Sequence, residues 1–186
     1  LSTQGVVPAC KSLDCVTFFA HDLDDAQTLL ALTSVENPVD AYSRAGVMPK
    51  GLATPAIRLG IPHRDQLDFF GNEAYARLFD NAVCTWRDAG IDLVEIDFSP
   101  FLDAARLLYQ GPWVAERYAA VGEFITAHPD AVLEVIRTII LPGKNMSAVD
   151  AFNGIHALQA LRQQADRIVQ SVDAIVTPTA GTCYTR

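Results

Sequence analysis

The sequence has 186 residues, half of them hydrophobic and 19% charged, enough for a buried core and unlike a disordered or low-complexity chain. Its 14 basic and 22 acidic residues leave a net charge of −8, and the three lysines, Lys11, Lys50 and Lys144, form no basic run, which argues against nucleic-acid binding. No apolar stretch approaches the roughly 18–20 residues of a membrane helix, and Cys10, Cys15, Cys84 and Cys183 lack paired metal-ligand spacing, so they read as reduced thiols of a cytosolic protein.

In chain order, L-S-T-Q-G-V-V-P-A-C-K-S-L-D reads as ordered from its first residues, with turn signals at Gly5 and Pro8, rather than as a terminal tail. Residues 16–20 (V-T-F-F-A) have the composition of a buried strand. A short helix over 22–32 follows, with Asp22 as its N-cap and Ala26, Leu29 and Leu30 on one face. The cluster of Asp22, Asp24 and Asp25 then needs no role beyond favouring the helix dipole. Residues 36–52 hold two prolines and two glycines without periodicity and predict a surface loop.

Residues 56–61 predict a second strand, closed by Pro62. The clearest helix of the first half spans 72–89. Asn72 can cap it, Gly90 follows it, and Tyr75, Leu78, Phe79, Ala82, Val83 and Trp86 recur at steps of three and four. I-D-L-V-E-I-D over 91–97 alternates like a strand, so this region predicts a strand–helix–strand crossover in a largely parallel sheet. Helices are expected over 100–108, over 113–127 after the Gly111-Pro112 break, over 130–141 and over 147–170. Ser147 and Asp150 form an acidic variant of the capping box at the start of the last. A final strand over 172–177 runs into P-T-A-G-T-C-Y-T. The expected class is α/β: part of a mixed β-sheet flanked by helices, with a long helical stretch over 100–170. No shift of composition marks a domain boundary.

One stretch carries candidate recognition chemistry: L-L-Y-Q-G-P-W-V-A-E-R-Y, 107–118. An arginine is the natural captor of a small carboxylate, because its planar fork donates two parallel hydrogen bonds, and a tyrosine can assist. On an unbroken helix, residues eight apart are out of line by about 80°. The Gly111-Pro112 break releases Tyr109 from that register, so it and Arg117 can converge. The plainer alternative is that Arg117 pairs with a surface carboxylate and Tyr109 is half-buried packing.

Three pieces together resemble the amidase-signature family: S-T-Q-G-V-V-P-A-C-K-S-L-D-C-V at the start, Y-Q-G-P-W-V-A-E-R in the middle and V-T-P-T-A-G-T-C-Y-T at the end. The middle piece is similar to the allophanate hydrolase branch of that family. The resemblance implies that residues 1–186 are a single, partial amidase domain truncated on its N-terminal side, with the opening piece lying shortly after the nucleophilic serine. It implies a soluble enzyme that hydrolyses linear amide bonds by serine acyl transfer in urea degradation, without metal, nucleotide or organic cofactor. Its substrate would be a small carboxylate-bearing amide held by Tyr109 and Arg117, and urea carboxylase would be a pathway neighbour.

The family's catalytic serine–serine–lysine set has no match. The seven serines have isolated contexts, and none of the three lysines fits the family position. Lys11-Ser12 is adjacent, and neighbours on an extended segment point to opposite faces. No catalytic residue is therefore assigned, and the chain alone is expected to be inactive. Asp14 is expected to fix the opening segment through backbone hydrogen bonds, and Thr177, Thr179 and Thr182 are candidate neighbours of a site. An unpaired sheet edge would also allow a homodimer. Two other functions stay open: a different amidase or transamidase subunit, and a non-catalytic carboxylate-binding or interaction module.

Overall fold

The computed structural model describes residues 1–46 and 57–184. In chain order these form α1 (Leu23–Thr33), β1 (Arg58–Pro62), α2 (Glu73–Asp88), β2 (Asp92–Ile96), α3 (Ser99–Gln110), α4 (Trp113–Ala127), α5 (Glu134–Ile140), α6 (Ala148–Val169) and β3 (Ala174–Ile175). Short 3-10 turns occur at Arg64–Gln66, Pro129–Ala131 and Leu141–Asn145. The α/β class expected from the sequence is what the chain adopts. The described residues gather into two compact units, one drawn from 1–46 and 108–151, the other from 57–107 and 152–184.

The second unit is built on a three-stranded sheet of order β2-β1-β3, parallel throughout. Leu59 pairs with Leu93 on one side and with Ala174 on the other. The central position of β1 explains why Gly60, Ile61 and Pro62 are all buried, where a half-covered strand would alternate. Gly60 suits the crowding: a Cβ there would meet Ile96 Cδ1 at 3.1 Å and Val172 Cγ1 at 3.3 Å. Pro62 ends the strand, as the missing N–H predicts. Asp173 ties the sheet edge, its N–H donating to the Arg58 carbonyl at 2.8 Å while its carboxylate accepts from Arg58 N–H at 2.7 Å.

The crossover helix α2 starts and stops where its sequence directs. Asn72 Oδ1 accepts from Tyr75 N–H at 3.0 Å. At the far end Gly90 sits at φ +80, its N–H donating to the Arg87 carbonyl and that of Ile91 to Trp86, a Schellman closure. Phe69 is buried at the turn before α2, edge-on to Tyr75 and tilted against Phe79.

The first unit centres on α4, which buries Val114, Gly122 and Ile125. The 3-10 turn Leu141–Asn145 packs on it through Gly143, where a Cβ would strike the Val114 carbonyl group. Asp40 gathers the opening residues, accepting from Ser2 Oγ at 2.6 Å and from Thr3 N–H at 3.0 Å.

Three sequence-based elements differ, the least of them the final strand, expected over 172–177 and formed only at Ala174–Ile175. Residues 16–20 form no strand and stay unpaired, with Phe18 and Phe19 exposed. Strand propensity describes how a side chain fits a pleated, half-covered surface, and among the described residues nothing pairs with this segment. The helix expected over 130–141 is divided: Pro129 opens a 3-10 turn, Val132 is extended, and α5 begins only at Glu134. The expected 36–52 loop is irregular as far as 46, and its remainder, like Ala56 of the 56–61 strand, lies outside the described residues. The Ser147–Asp150 box forms as expected, Ser147 N–H and Oγ both donating to Asp150 at 2.8 and 2.7 Å. Those hydrogen bonds hold the Asp150 pKa below the ordinary aspartate value.

Candidate functional site

The site is built where the opening segment meets α4. Asp14 folds residues 9–14 into a closed turn: its carboxylate accepts from Ala9 N–H at 2.9 Å and Cys10 N–H at 3.0 Å. The Leu13 and Asp14 N–H groups both donate back to the Cys10 carbonyl at 2.8 Å. This is the supporting role expected of Asp14 from the sequence. Glu116 then pins the turn to α4, accepting from Ser12 N–H and Ser12 Oγ, each at 2.7 Å. With its hydroxyl committed to Glu116, Ser12 is not set up as a nucleophile beside Lys11. Among the described residues no serine hydroxyl is hydrogen-bonded to a lysine.

The Gly111-Pro112 break separates α3 from α4, and Pro112 takes the N-cap position with φ −69. Tyr109, on the last turn of α3, is thereby free of the α4 register. The Arg117 guanidinium carbon lies 4.4 Å from the Tyr109 ring centroid, over the ring. Arg117 Nε–H donates to Cys10 Sγ at 3.3 Å, and Cys10 Sγ in turn lies 3.8 Å from the Trp113 carbonyl oxygen. The two sequence-predicted residues are thus brought together, with Tyr109 largely exposed and Arg117 half-buried.

Both line an open cleft of about 590 Å³ with Val7, Pro8, Ala9, Val121, Phe124, Ile125, Val132, Ile136, Ile139 and Ile140. Arg117 is the one charged side chain among these lining residues, and no carboxylate among the described residues forms an ion pair with it. The adjacent Glu116 is engaged elsewhere, by Ser12. Burial works against the Arg117 charge and is the largest single influence, but Cys10 and Tyr109 together outweigh it, so the pKa lies above the ordinary arginine value. A cation presented to an apolar cleft without a counter-ion can pair with an anionic group of a small ligand.

Cys10 and Glu116 were not singled out as site residues by sequence reasoning. The only signal for either is its place in a family-like piece, Glu116 in the middle one and Cys10 in the opening one, and neither piece shows that Cys10 meets partners more than a hundred residues away. Thr182 has a structural partner, its Oγ1 accepting from the α2 cap residue Asn72 at 2.9 Å, and it belongs to the sheet-bearing unit. Thr177 and Thr179 lie in that unit too. Among the described residues no group of three or more His, Cys, Asp or Glu side chains could hold a metal ion, and no helix is long and apolar enough to cross a membrane.

Three kinds of comparison agree. The profile of the Amidase family matches residues 1–186. Urea amidolyase of Saccharomyces cerevisiae is 39% identical over 182 residues, and urea amidolyase of Lachancea kluyveri 35% identical over 184, each covering 96% of the chain. The chain spans 10% of the length of these relatives. Among solved structures, allophanate hydrolase of Kluyveromyces lactis superimposes with a TM-score of 0.88 at 34% identity, covering 97% of this chain and 30% of that one. Urea amidolyase of the same yeast gives a TM-score of 0.88 at 34% identity, with 97% of this chain and 11% of that one covered.

Proposed function

The chain belongs to the amidase family, and from that premise we propose that it supplies the carboxylate-holding side of an allophanate-hydrolysing site. Residues 1–186 form part of one amidase domain in this reading. The observation that carries it is Arg117 itself: the lone charge lining an apolar cleft, its guanidinium fixed by Cys10 and Tyr109, without a carboxylate partner among the described residues.

In the proposed reaction a serine attacks the amide carbonyl of allophanate, backbone donors stabilise the oxyanion, and water clears the acyl-enzyme, giving ammonia and carbon dioxide overall. None of the residues of this chain performs those steps. Arg117 donates to the two carboxylate oxygens at the far end of the substrate, and Tyr109 holds the guanidinium plane and shields its face. The pair orients the reacting amide and discriminates against neutral amides, which leave the arginine unpaired. Urea carboxylation is the neighbouring reaction in this scheme, and the free thiols of Cys10, Cys15, Cys84 and Cys183 suit a cytoplasmic setting.

The test is made in the complete protein that carries this chain. Arg117→Ala should raise the KM for allophanate and the inhibition constant of malonate by about 100-fold, the loss expected for a bidentate charged pair. Unchanged selection of allophanate over its neutral counterpart biuret would overturn the reading in favour of a general amidase. The isolated chain should release no ammonia from allophanate, and an enzyme-like rate from clean material would refute the division of labour.

A further inference from the structure

The Arg117 side chain is held by a sulfur where a carboxylate would be the commoner partner. Cys10 is 3% exposed, so its thiol must find partners inside the protein. It has two: Arg117 Nε–H donates to Sγ at 3.3 Å, and Sγ faces the Trp113 carbonyl, one turn back along α4, at 3.8 Å. The turn that carries Cys10 is itself immobilised, from within by Asp14 and from α4 by the Glu116–Ser12 clamp. The Tyr109 ring covers the guanidinium face. With Nε occupied and the face covered, the terminal N–H groups are what a ligand can use.

The chemistry of the partner matters. A carboxylate in place of the thiol would also orient Nε, but its full negative charge would pair with the guanidinium and leave less for a ligand. An apolar side chain would leave the charge free and the fork unoriented. A thiol is a weak acceptor that directs the group without cancelling its charge. Through its second contact, with the Trp113 carbonyl, the sulfur also links Arg117 to the first turn of α4, so the guanidinium cannot swing freely about its long stem.

We propose that Cys10 is a positioning residue: it sets the plane of the Arg117 guanidinium so that its terminal N–H pair meets a planar carboxylate in the cleft. The proposal rests on the reading of Arg117 as the carboxylate anchor.

The experiment uses the complete protein with Cys10→Val, Cys10→Ala, Arg117→Ala and the Cys10→Val/Arg117→Ala double variant. It measures kcat and KM for allophanate and the inhibition constant of malonate. Cys10→Val removes the acceptor with a slightly larger apolar side chain and Cys10→Ala with a smaller one, so the two together decide the matter even where one of them does not fold. Each Cys10 variant should raise KM and the malonate constant by about five- to tenfold, with kcat within about twofold. The double variant should bind malonate no more weakly than Arg117→Ala alone, because the sulfur acts only through the arginine. A silent Cys10→Val beside a large Arg117→Ala effect overturns the proposal and leaves the anchor intact. So does a double variant that shows the product of the two separate losses. If Arg117→Ala is itself silent, the anchor reading falls and the proposal with it.

Discussion

The two compact units each bury only a few apolar side chains among the described residues, yet they hold together differently. In the sheet-bearing unit Ile61, Ile96 and Phe69 pack beside a backbone ladder of parallel strands, in which every rung repeats the same bond. In the α4 unit Cys10, Val114 and Ile125 are buried beside contacts made by single side chains: Asp14 to its own turn, Glu116 to Ser12, Asp40 to Ser2 and Thr3. A ladder tolerates the loss of one polar side chain because its bonds are main-chain. A clamp does not, but it can place one guanidinium with precision. The candidate site lies in the clamped unit.

The comparison can be broken first by removing what the units share. Ile96→Ala and Ile125→Ala should each cost about 2–5 kcal/mol, since both side chains are almost fully buried. Hydrogen exchange should lose protection within the unit that carries the substitution, and loss of both to the same extent from either site would mean that the division has no energetic counterpart. Next come the glycines. Gly143→Ala drives a methyl into the Val114 carbonyl group, and Gly181→Ala drives one into the Asp68 carbonyl oxygen, backbone in both cases. About 1–3 kcal/mol of overpacking is expected from each, read as faster exchange around α4 and at the start of α2 respectively.

A sharper cut is Glu116→Ala, which removes both bonds to Ser12 at an exposed position and should cost about 1 kcal/mol. Amides of 9–14 should exchange faster while those of β1 and β2 hold their rates; an unchanged 9–14 segment would dismiss the clamp. The smallest effect is electrostatic and belongs to the sheet-bearing unit. Ser99 Oγ, Gln66 and the Ser99 N–H donate to Asp97 and lower its pKa to about 2. A depressed carboxylate pKa means that its stabilising contribution is present above the ordinary value near 4 and is lost as pH falls through about 2. Amide exchange at 97–99 should rise over that window and lose this dependence in Asp97→Asn; an unchanged profile in the variant would assign the effect to another group.

How far the sequence could be read follows the same line. Helix α2 was legible at both ends, because Asn72 and Gly90 act locally, and so was the capping box of α6. The strand–helix–strand crossover was legible from two periodicities. Residues 16–20 were not: V-T-F-F-A carries strand composition, but pairing is decided by a neighbour outside the segment. The split at Val132 and Leu133 has no Gly or Pro to announce it. Tyr109 and Arg117 could be paired only because Gly111-Pro112 breaks the helical register and the motif supplied the expectation. Cys10 stood in the opening motif, but its contact with Arg117 was not legible, since a buried thiol becomes informative only when its partner is known.

The turn before α2 has one more consequence. Phe70 takes a left-handed φ of 51, costly for a bulky residue, beside Gly71 at φ 77. Its ring and the Asp68 carbonyl occupy the space that any side chain at position 181 would need. The two ends of this unit therefore cannot drift independently through evolutionary time. A lineage that replaces Gly181 must rebuild the turn at 68–71 along with it, and aligned relatives should show the two places changing together.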